Sequence, residues 1–335
     1  MALLHDAFPG LDLGFTPLGH GPTPVRRLPG LLVGGAEIWL KDESGFGDGG
    51  WGGNKVRKLE WILPEARRRG ARTIFTVGGI GTHWGLACAL YGREQGLRTA
   101  LGLVDQPVDD HVRDQQERLR ASGADLHFLH TPRRLRLAAP ALLALIALQD
   151  RHLPMVLGPG GSSPLGTVGY VEVALEIAAQ VATGELPAPA TVVVPAGSGG
   201  TTAGLTLGFR VAGLEARVLG IDVNDAVRLD DVAMARLANR TAALLRERGA
   251  ALDVGEIAPA DLSMRDDWLG TTYGDPTPAS TSAVADARAD GLELEPVYTG
   301  KSLAAVRDLA GTDALPGPVL WPNTHGPRHQ PATLA

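Results

Sequence analysis

The sequence predicts an α/β chain folded as two lobes, each a mostly parallel sheet flanked by helices. Three observations carry this expectation. Short β-type runs alternate with longer helical patterns, several of those runs are apolar throughout, and 335 residues suffice for two units of about 100–200 residues each. A strand covered by helices on both faces has no reason to alternate polar with apolar side chains.

The expected strands are residues 36–42 (AEIWLKD), 72–78, 98–104, 125–130, 154–158, 191–196 (TVVVPA), 217–222 and 318–321. Helical patterns lie near 55–69, 83–95, 108–121, 138–151, 165–182, 201–212 and 226–247. Pro64 interrupts the first of these and is expected to kink or split it, because proline lacks an N–H and its ring crowds the preceding turn. No repeat or low-complexity tract occurs. The glycine-rich run 45–53 leads straight into a basic helix start, NKVRKLE, and reads as a functional loop rather than a linker. The last ten residues, GPRHQPATLA, read as a surface extension.

Hydrophobic residues at 44% suit a large core, and a net charge of −6 gives no electrostatic case for nucleic acid. The one cysteine, Cys88, excludes an intramolecular disulfide and sits in an apolar run, GLACAL, as a buried thiol would. Nine histidines are scattered without metal-ligand spacing, so no metal is expected. The N-terminus lacks a basic leader, Asp6 breaks its only apolar stretch, and no window approaches the ~18 apolar residues of a membrane span. A cytoplasmic protein without membrane contact is expected.

Chemistry is sought beyond the carboxyl ends of the strands, where ligands sit in parallel sheets. In TVVVPAGSGGTTAGL (191–205) an apolar strand runs through glycines and hydroxyls into a helix, a ready anion site. Ser198, Gly199, Gly200 and Thr201 are its candidate phosphate ligands, and the bland alternative is a structural turn. In GGNKVRKLEW (52–61), Lys55 follows Asn54 where a loop becomes a helix; a lysine desolvated there has the lowered pKa that bonding to a carbonyl needs, although most lysines are solvated surface charges. In TVGGIGTHWGLA (76–87), Thr82 and His83 open a helix able to hold a second anion, such as a substrate carboxylate. In LELEPVYTGKSL (292–303), Tyr298 is either projected into a cleft or packed. The GKS ending of that segment imitates a P-loop, but Glu295 stands where the motif needs glycine.

GGNKVRKLE, GGSSPLGTVGYVE (160–172), GSGGTTAGL and EPVYTGKSL, in that order, resemble the D-cysteine desulfhydrase and 1-aminocyclopropane-1-carboxylate deaminase family, over residues 20–326. The resemblance implies a fold-type-II, tryptophan-synthase-β-like enzyme dependent on pyridoxal 5'-phosphate, acting on a small amino acid and commonly homodimeric. It implies a large lobe of residues 1–54 and 166–335 and a smaller inserted lobe of residues 55–165. Lys55 corresponds to the Schiff-base lysine, Ser198–Thr201 to the phosphate loop, and Tyr298 and Tyr273 to active-site tyrosines. Thr299 and Thr324 are the hydroxyls expected near the pyridine nitrogen. The family's GGIQSNH reads GGIGTHW here, so Gly81, Thr82, His83 and Trp84 are the expected substrate contacts. His83 replaces the asparagine beside the ring oxygen, which predicts a spectrum that titrates near the ordinary histidine value of about 6.5. The usual HTGG or HLGG reads NTHG (323–326).

The implied reaction is Cα deprotonation and β-elimination to keto acid and ammonia. The cyclopropane-opening members carry Glu and Leu at positions 299 and 324, whereas both are threonine here, which favours a good Cβ leaving group, as in D-cysteine or a β-substituted alanine. Cyclopropane opening, β-replacement or racemisation of a specialised amino acid, a degenerate cofactor-binding protein, and a nucleotide- or phosphosugar-binding protein stand as alternatives. A side chain at Gly199 or Gly200 is expected to weaken cofactor binding before stability.

Overall fold

In chain order the elements are α1 (Leu3–Ala7), β1 (Val25–Arg27), β2 (Ile38–Asp42), α2 (Asn54–Arg68), β3 (Thr73–Gly79), α3 (His83–Glu94), β4 (Arg98–Val104), α4 (Asp110–Ala121), β5 (Asp125–His130), α5 (Pro132–Asp150) and β6 (Met155–Val156). There follow α6 (Pro164–Ala182), β7 (Thr191–Ala196), α7 (Gly200–Ala212), β8 (Arg217–Asp222), α8 (Asp231–Glu247), β9 (Leu262–Arg265), α9 (Pro278–Ala287), α10 (Thr299–Leu309) and β10 (Val319–Asn323). This computed structural model describes residues 2–31, 36–49 and 51–326. From residue 327 onward, the expected surface extension lies outside them.

The strands form two sheets, one of six in the order β1-β2-β10-β7-β8-β9 and one of four in the order β5-β4-β3-β6. Every pairing is parallel except β1 with β2. The strands of the four-stranded sheet all fall between residues 73 and 156. The expected divisions at 54/55 and 165/166 both cut the first turn of a helix, α2 and α6.

β7 explains why its segment is apolar at every position. Val193 packs with Trp321 and Leu303 of α10 on one face, while Val192 and Val194 pack with Tyr170 of α6 and Phe209 of α7 on the other. Alternate side chains enter two different cores, and both are dry. α6 passes the length and apolarity of a membrane span, but 67% of that window is buried in the fold, which makes it a core helix. Cys88 is buried, and burial pushes its thiol pKa up.

α2 runs through Pro64 unsplit, so of the two expected effects, a kink or a split, the split does not occur. The carbonyl that a non-proline residue 64 would bond is that of Glu60, and it accepts the Thr16 N–H at 2.9 Å instead. A neighbouring segment thus replaces the missing donor. The helix is also clamped by buried charge. Arg57 grips Glu43 through Nε at 2.9 Å and Glu176 through a terminal nitrogen at 2.9 Å, and Glu176 takes the Lys41 ammonium at 2.7 Å.

The periodicity missed α1, β1, β9, α9 and α10. α9 carries small residues rather than an apolar stripe, so its signal is local: Thr277 caps Ser280 N–H and Pro278 takes the first turn. α5 begins at Pro132 rather than 138, with Thr131 as its cap; Arg133, Arg134 and Arg136 hide its first turns from a hydrophobic reading.

Candidate active site

A cavity of about 370 Å³ opens where the loops after β3, β7 and β10 meet the start of α2. It therefore lies at carboxyl ends of strands from both sheets, as the parallel architecture requires. Lys55, Asn54, Gly81, Thr82, His83, Trp84, Ser198, Gly199, Gly200, Thr201, Tyr273, Tyr298 and Thr324 all line it. Thr299 does not. Its hydroxyl donates to the Glu295 backbone oxygen and carboxylate at 3.1 Å, inside the cap of α10, and is fully buried there. The structure leaves Thr324 as the cavity-facing member of that pair.

Lys55 sits in the first turn of α2, its Nζ 6.0 Å from the centre of the Tyr298 ring. Burial lowers its pKa to about 8, with the charge of Glu295 opposing. The glycine run that precedes it folds against the NTHG segment. Gly53 has φ +89°, and a Cβ there would stand 2.8 Å from the Thr324 carbonyl, so glycine is what lets α2 start against β10.

One end of the cavity gathers hydroxyl, backbone N–H and lysine donors in a cradle. The Gly200 N–H donates to Ser162 Oγ at 3.0 Å, and the Ser162 and Ser198 hydroxyls are 2.8 Å apart. Asn224 holds the loop from behind, donating to the Gly197 carbonyl at 2.7 Å. Lys58 reaches in from α2 and donates to the Gly160 carbonyl at 2.9 Å and to Ser162 Oγ at 3.1 Å. Burial, then the charge of Lys55, pushes the Lys58 pKa well down. A buried lysine amine held only by neutral groups is what an anion such as a phosphate would complete, by favouring its charged form, so the residues fit one. Sequence reading passed over Lys58, although its spacing of three from Lys55 puts both on one helix face. It also passed over Ser162, which stood in a quoted motif without a role.

The phenols form a pair, Tyr298 Oη donating to Tyr273 Oη at 2.8 Å. Burial raises both pKa values, that of Tyr298 well above the ordinary phenol, so the pair keeps its protons. The Glu295 carboxylate accepts from the N–H groups of Val297, Tyr298 and Thr299 and so fixes the start of α10. Lys301 of the GKS imitation donates to the Leu269 carbonyl and does not line the cavity.

On the loop after β3, Thr82 caps α3 by accepting the Gly85 N–H at 3.1 Å, and the Gly81 N–H donates to Gln106. Trp84 is buried with its indole N–H given to Thr76 at 2.8 Å, so it bounds the cavity as a wall. His83 is not alone: His111 and His325, distant in sequence, come beside it. Three of the nine histidines, scattered in the sequence, are gathered here by the fold. Among the described residues, no group of His, Cys, Asp or Glu is arranged to hold a metal. Burial first, then His325, His111, Lys55 and Arg118, push the His83 pKa well below the ordinary value. The expected titration near 6.5 is therefore displaced downward, because the ring is enclosed among cations and other imidazoles.

Comparison with known proteins gives these features a common setting. The pattern of the family described as "Pyridoxal-phosphate dependent enzyme" matches residues 16–321. The D-cysteine desulfhydrases of Salmonella choleraesuis and Salmonella schwarzengrund are each 33% identical over 327 residues, covering 95% of this chain and 94% of theirs. The crystal structure of an ACC deaminase homologue superposes with a TM-score of 0.78 at 28% identity, covering 97% of this chain and 94% of that one. A fungal L-serine ammonia-lyase from Rhizomucor miehei shares the fold, with a TM-score of 0.61 at 17% identity over 92% of this chain and 95% of its own. The sequence pattern, the identity along almost the whole length and the shared two-sheet fold agree, and the chain belongs to the pyridoxal-phosphate-dependent enzymes.

Proposed function

We propose that this enzyme is a lyase that removes the Cα proton of a small amino acid and expels a group from Cβ, yielding a keto acid and ammonia. The observation that carries the reading is Lys55, a buried lysine with a pKa near 8, set in one cavity with an anion cradle and a pair of protonated phenols. The bound cofactor supplies an electron sink for the charge that develops at Cα. Ser198, Gly199, Gly200 and Thr201, with Lys58 and Ser162, would hold its phosphate. Lys55 would anchor it, and its amine, when free and neutral, would take the Cα proton. Asn54, His83 and Thr324, which line the same cavity, would hold its ring through their polar side chains. Gly81 and Thr82, at the start of α3, bind the substrate carboxylate while Trp84 limits the space beyond it. Tyr298 keeps its proton until the leaving group needs it, and Tyr273 orients the phenol.

The substrate in this reading is D-cysteine or a β-substituted alanine, the relatives' named activity being the support. Thr324 adds to it, since a neutral hydroxyl suffices when the leaving group is good. Keto acid and ammonia release from D-cysteine, β-chloro-D-alanine and aminocyclopropane carboxylate tests the reading. Release from the first two is expected; release from the cyclopropane alone, a replaced or racemised product, or bound cofactor with no turnover would each overturn it. We further propose a cytoplasmic homodimer, which sedimentation of the loaded protein checks for assembly.

A further inference from the structure

Tyr273 stands on a segment that no sheet or helix holds. Between β9 and α9 the backbone runs in turns and irregular stretches, and Gly270 and Gly274, on either side of the tyrosine, take φ of +81° and +90°. Such a segment has no ladder or helical turn of its own to fix a side chain. The Tyr273 hydroxyl nevertheless meets that of Tyr298 at 2.8 Å.

What fixes it comes from neighbouring elements, at three points. Trp268, buried in the core it shares with Leu303 and Val306 of α10, donates its indole N–H to Asp308 at 2.7 Å. Lys301, the third residue of α10 and fully buried, donates to the Leu269 carbonyl at 2.6 Å. Asp225, three residues past the end of β8, accepts the Tyr273 N–H at 3.0 Å on one carboxylate oxygen and the Thr272 hydroxyl at 2.9 Å on the other. Its neighbour Asn224 holds the Gly197 carbonyl, so two adjacent side chains register the turn before α7 against the tyrosine segment. Tyr298 closes the circuit, since a Cβ at Gly197 would stand 2.6 Å from its ring.

Neither Asp225 nor Lys301 lines the cavity, and a buried cation that reaches no ligand needs another role. Burial lowers the Lys301 pKa, and the charges of Glu295, Asp275, Asp222 and Asp225 oppose that fall. Each of those acids fixes a part of the loops around the phenols. Glu295 holds the start of α10, Asp222 accepts the Asn224 N–H at 2.8 Å, Asp275 accepts the Thr271 hydroxyl, and Asp225 holds Tyr273 itself.

We propose that Asp225 and Lys301 are positioning residues of this enzyme, a clamp on residues 269–273 that keeps the Tyr273 hydroxyl against Tyr298. The inference rests on the lyase reading, in which Tyr298 passes its proton to the leaving group. A hydroxyl both accepts and donates. Tyr273 therefore accepts from Tyr298 in the resting pair, and turns to donate to the Tyr298 oxygen once that proton has gone. With the clamp released, the segment moves about Gly270 and Gly274, and Tyr298 gives up its proton with no donor beside it. Cofactor affinity is independent of the clamp, because neither residue reaches the cradle.

The test uses the cofactor-loaded enzyme, D-cysteine and β-chloro-D-alanine as substrates, and hydrogen–deuterium exchange read on the peptide covering residues 269–275. In Asp225→Ala, kcat and kcat/KM should fall together by about ten-fold or more. The visible band and the cofactor affinity should stay as in the wild type, while exchange at 269–275 quickens and exchange elsewhere does not. Asp225→Asn keeps an oxygen for the Tyr273 N–H and an amide for Thr272, and should recover most of the rate. Once Tyr273→Phe has removed the hydroxyl, adding Asp225→Ala should cost less than about two-fold more. Lys301→Met should quicken the same exchange; if that protein fails to fold, the Asp225 variants decide. An unchanged kcat in Asp225→Ala, unchanged exchange at 269–275, a loss that adds in full to that of Tyr273→Phe, or an equal loss of cofactor affinity overturns the proposal. If the wild type turns over neither amino acid, the lyase reading is overturned and exchange alone decides the clamp: quicker in Asp225→Ala supports it, unchanged overturns it.

Discussion

In the proposed reaction Lys55 can act as a base only when neutral, and burial brings its pKa to about 8 while Glu295 holds it from falling further. Attachment of the cofactor to the stripped protein should therefore speed up as pH rises through about 8 and level off above, followed by the visible band. Glu295→Gln removes the opposing charge and should move that midpoint to lower pH; an unmoved midpoint would mean that another group governs attachment. Lys55→Ala should lower turnover by at least about 10²–10⁴-fold, and borohydride reduction of the loaded protein should label Lys55. The two loop glycines separate on the structure. A Cβ at Gly200 would meet Ser162 Oγ at 2.6 Å and Lys58 Nζ at 3.0 Å, whereas one at Gly199, where φ is +78°, would strike the Met234 thioether. Gly200→Ala should cut cofactor affinity about ten-fold or more while the stripped protein changes by less than about 1 kcal/mol. Gly199→Val should destabilise the whole fold by about 1–3 kcal/mol, the reverse of the order the sequence suggested for that residue. Denaturant midpoints with and without cofactor decide both.

α2 carries both site lysines on one side and is held in place by Arg57 on the other. Arg57→Met leaves Glu43 as a buried carboxylate without its ion-pair partner and Glu176 with Lys41 alone, and should cost about 3–5 kcal/mol, read from the urea midpoint. Arg57→Lys should not restore it, since a point charge cannot replace the two-pronged contact. The same cluster sets an acid limit. Against the burial that would raise it, Arg57 and Lys41 bring Glu176 down to about 2. Its folded pKa is depressed, so the contribution is present above the ordinary glutamate value of about 4.3 and is lost as pH falls toward 2. Acid unfolding followed by circular dichroism should show that loss in the wild type, with a shallower dependence in Arg57→Met. Most elements were legible because a buried parallel strand and a two-faced helix leave strong patterns, as in β7. α9 and the whole of α2 were less so. α9 rests on caps rather than on an apolar stripe, and α2 survives Pro64 because Thr16, forty-eight residues earlier in the chain, satisfies the freed carbonyl.

The cavity draws on both sheets: Lys55 from α2, the cradle from the β7–α7 turn, the loop after β3 and Thr324 after β10. A ligand that touches all four should stabilise the molecule as one unit. At a hundred-fold excess over its dissociation constant, the cofactor should add about 2.7 kcal/mol, visible as a higher melting temperature of the loaded protein. An unchanged melting temperature would mean that these groups do not share one ligand. By itself the sequence determined the parallel α/β class and the family, and it pointed to the glycine turn before α7 and to Lys55, because each is written in a contiguous run where glycine, hydroxyl and apolar period sit side by side. Only the tertiary structure decided that Thr299 turns into the cap of α10, that Lys58 and Ser162 complete the cradle, and that three histidines separated by up to 242 positions (83 to 325) share one corner. Those placements depend on how helices and strand ends meet in space. Residues so far apart carry no periodicity or spacing that could announce the meeting.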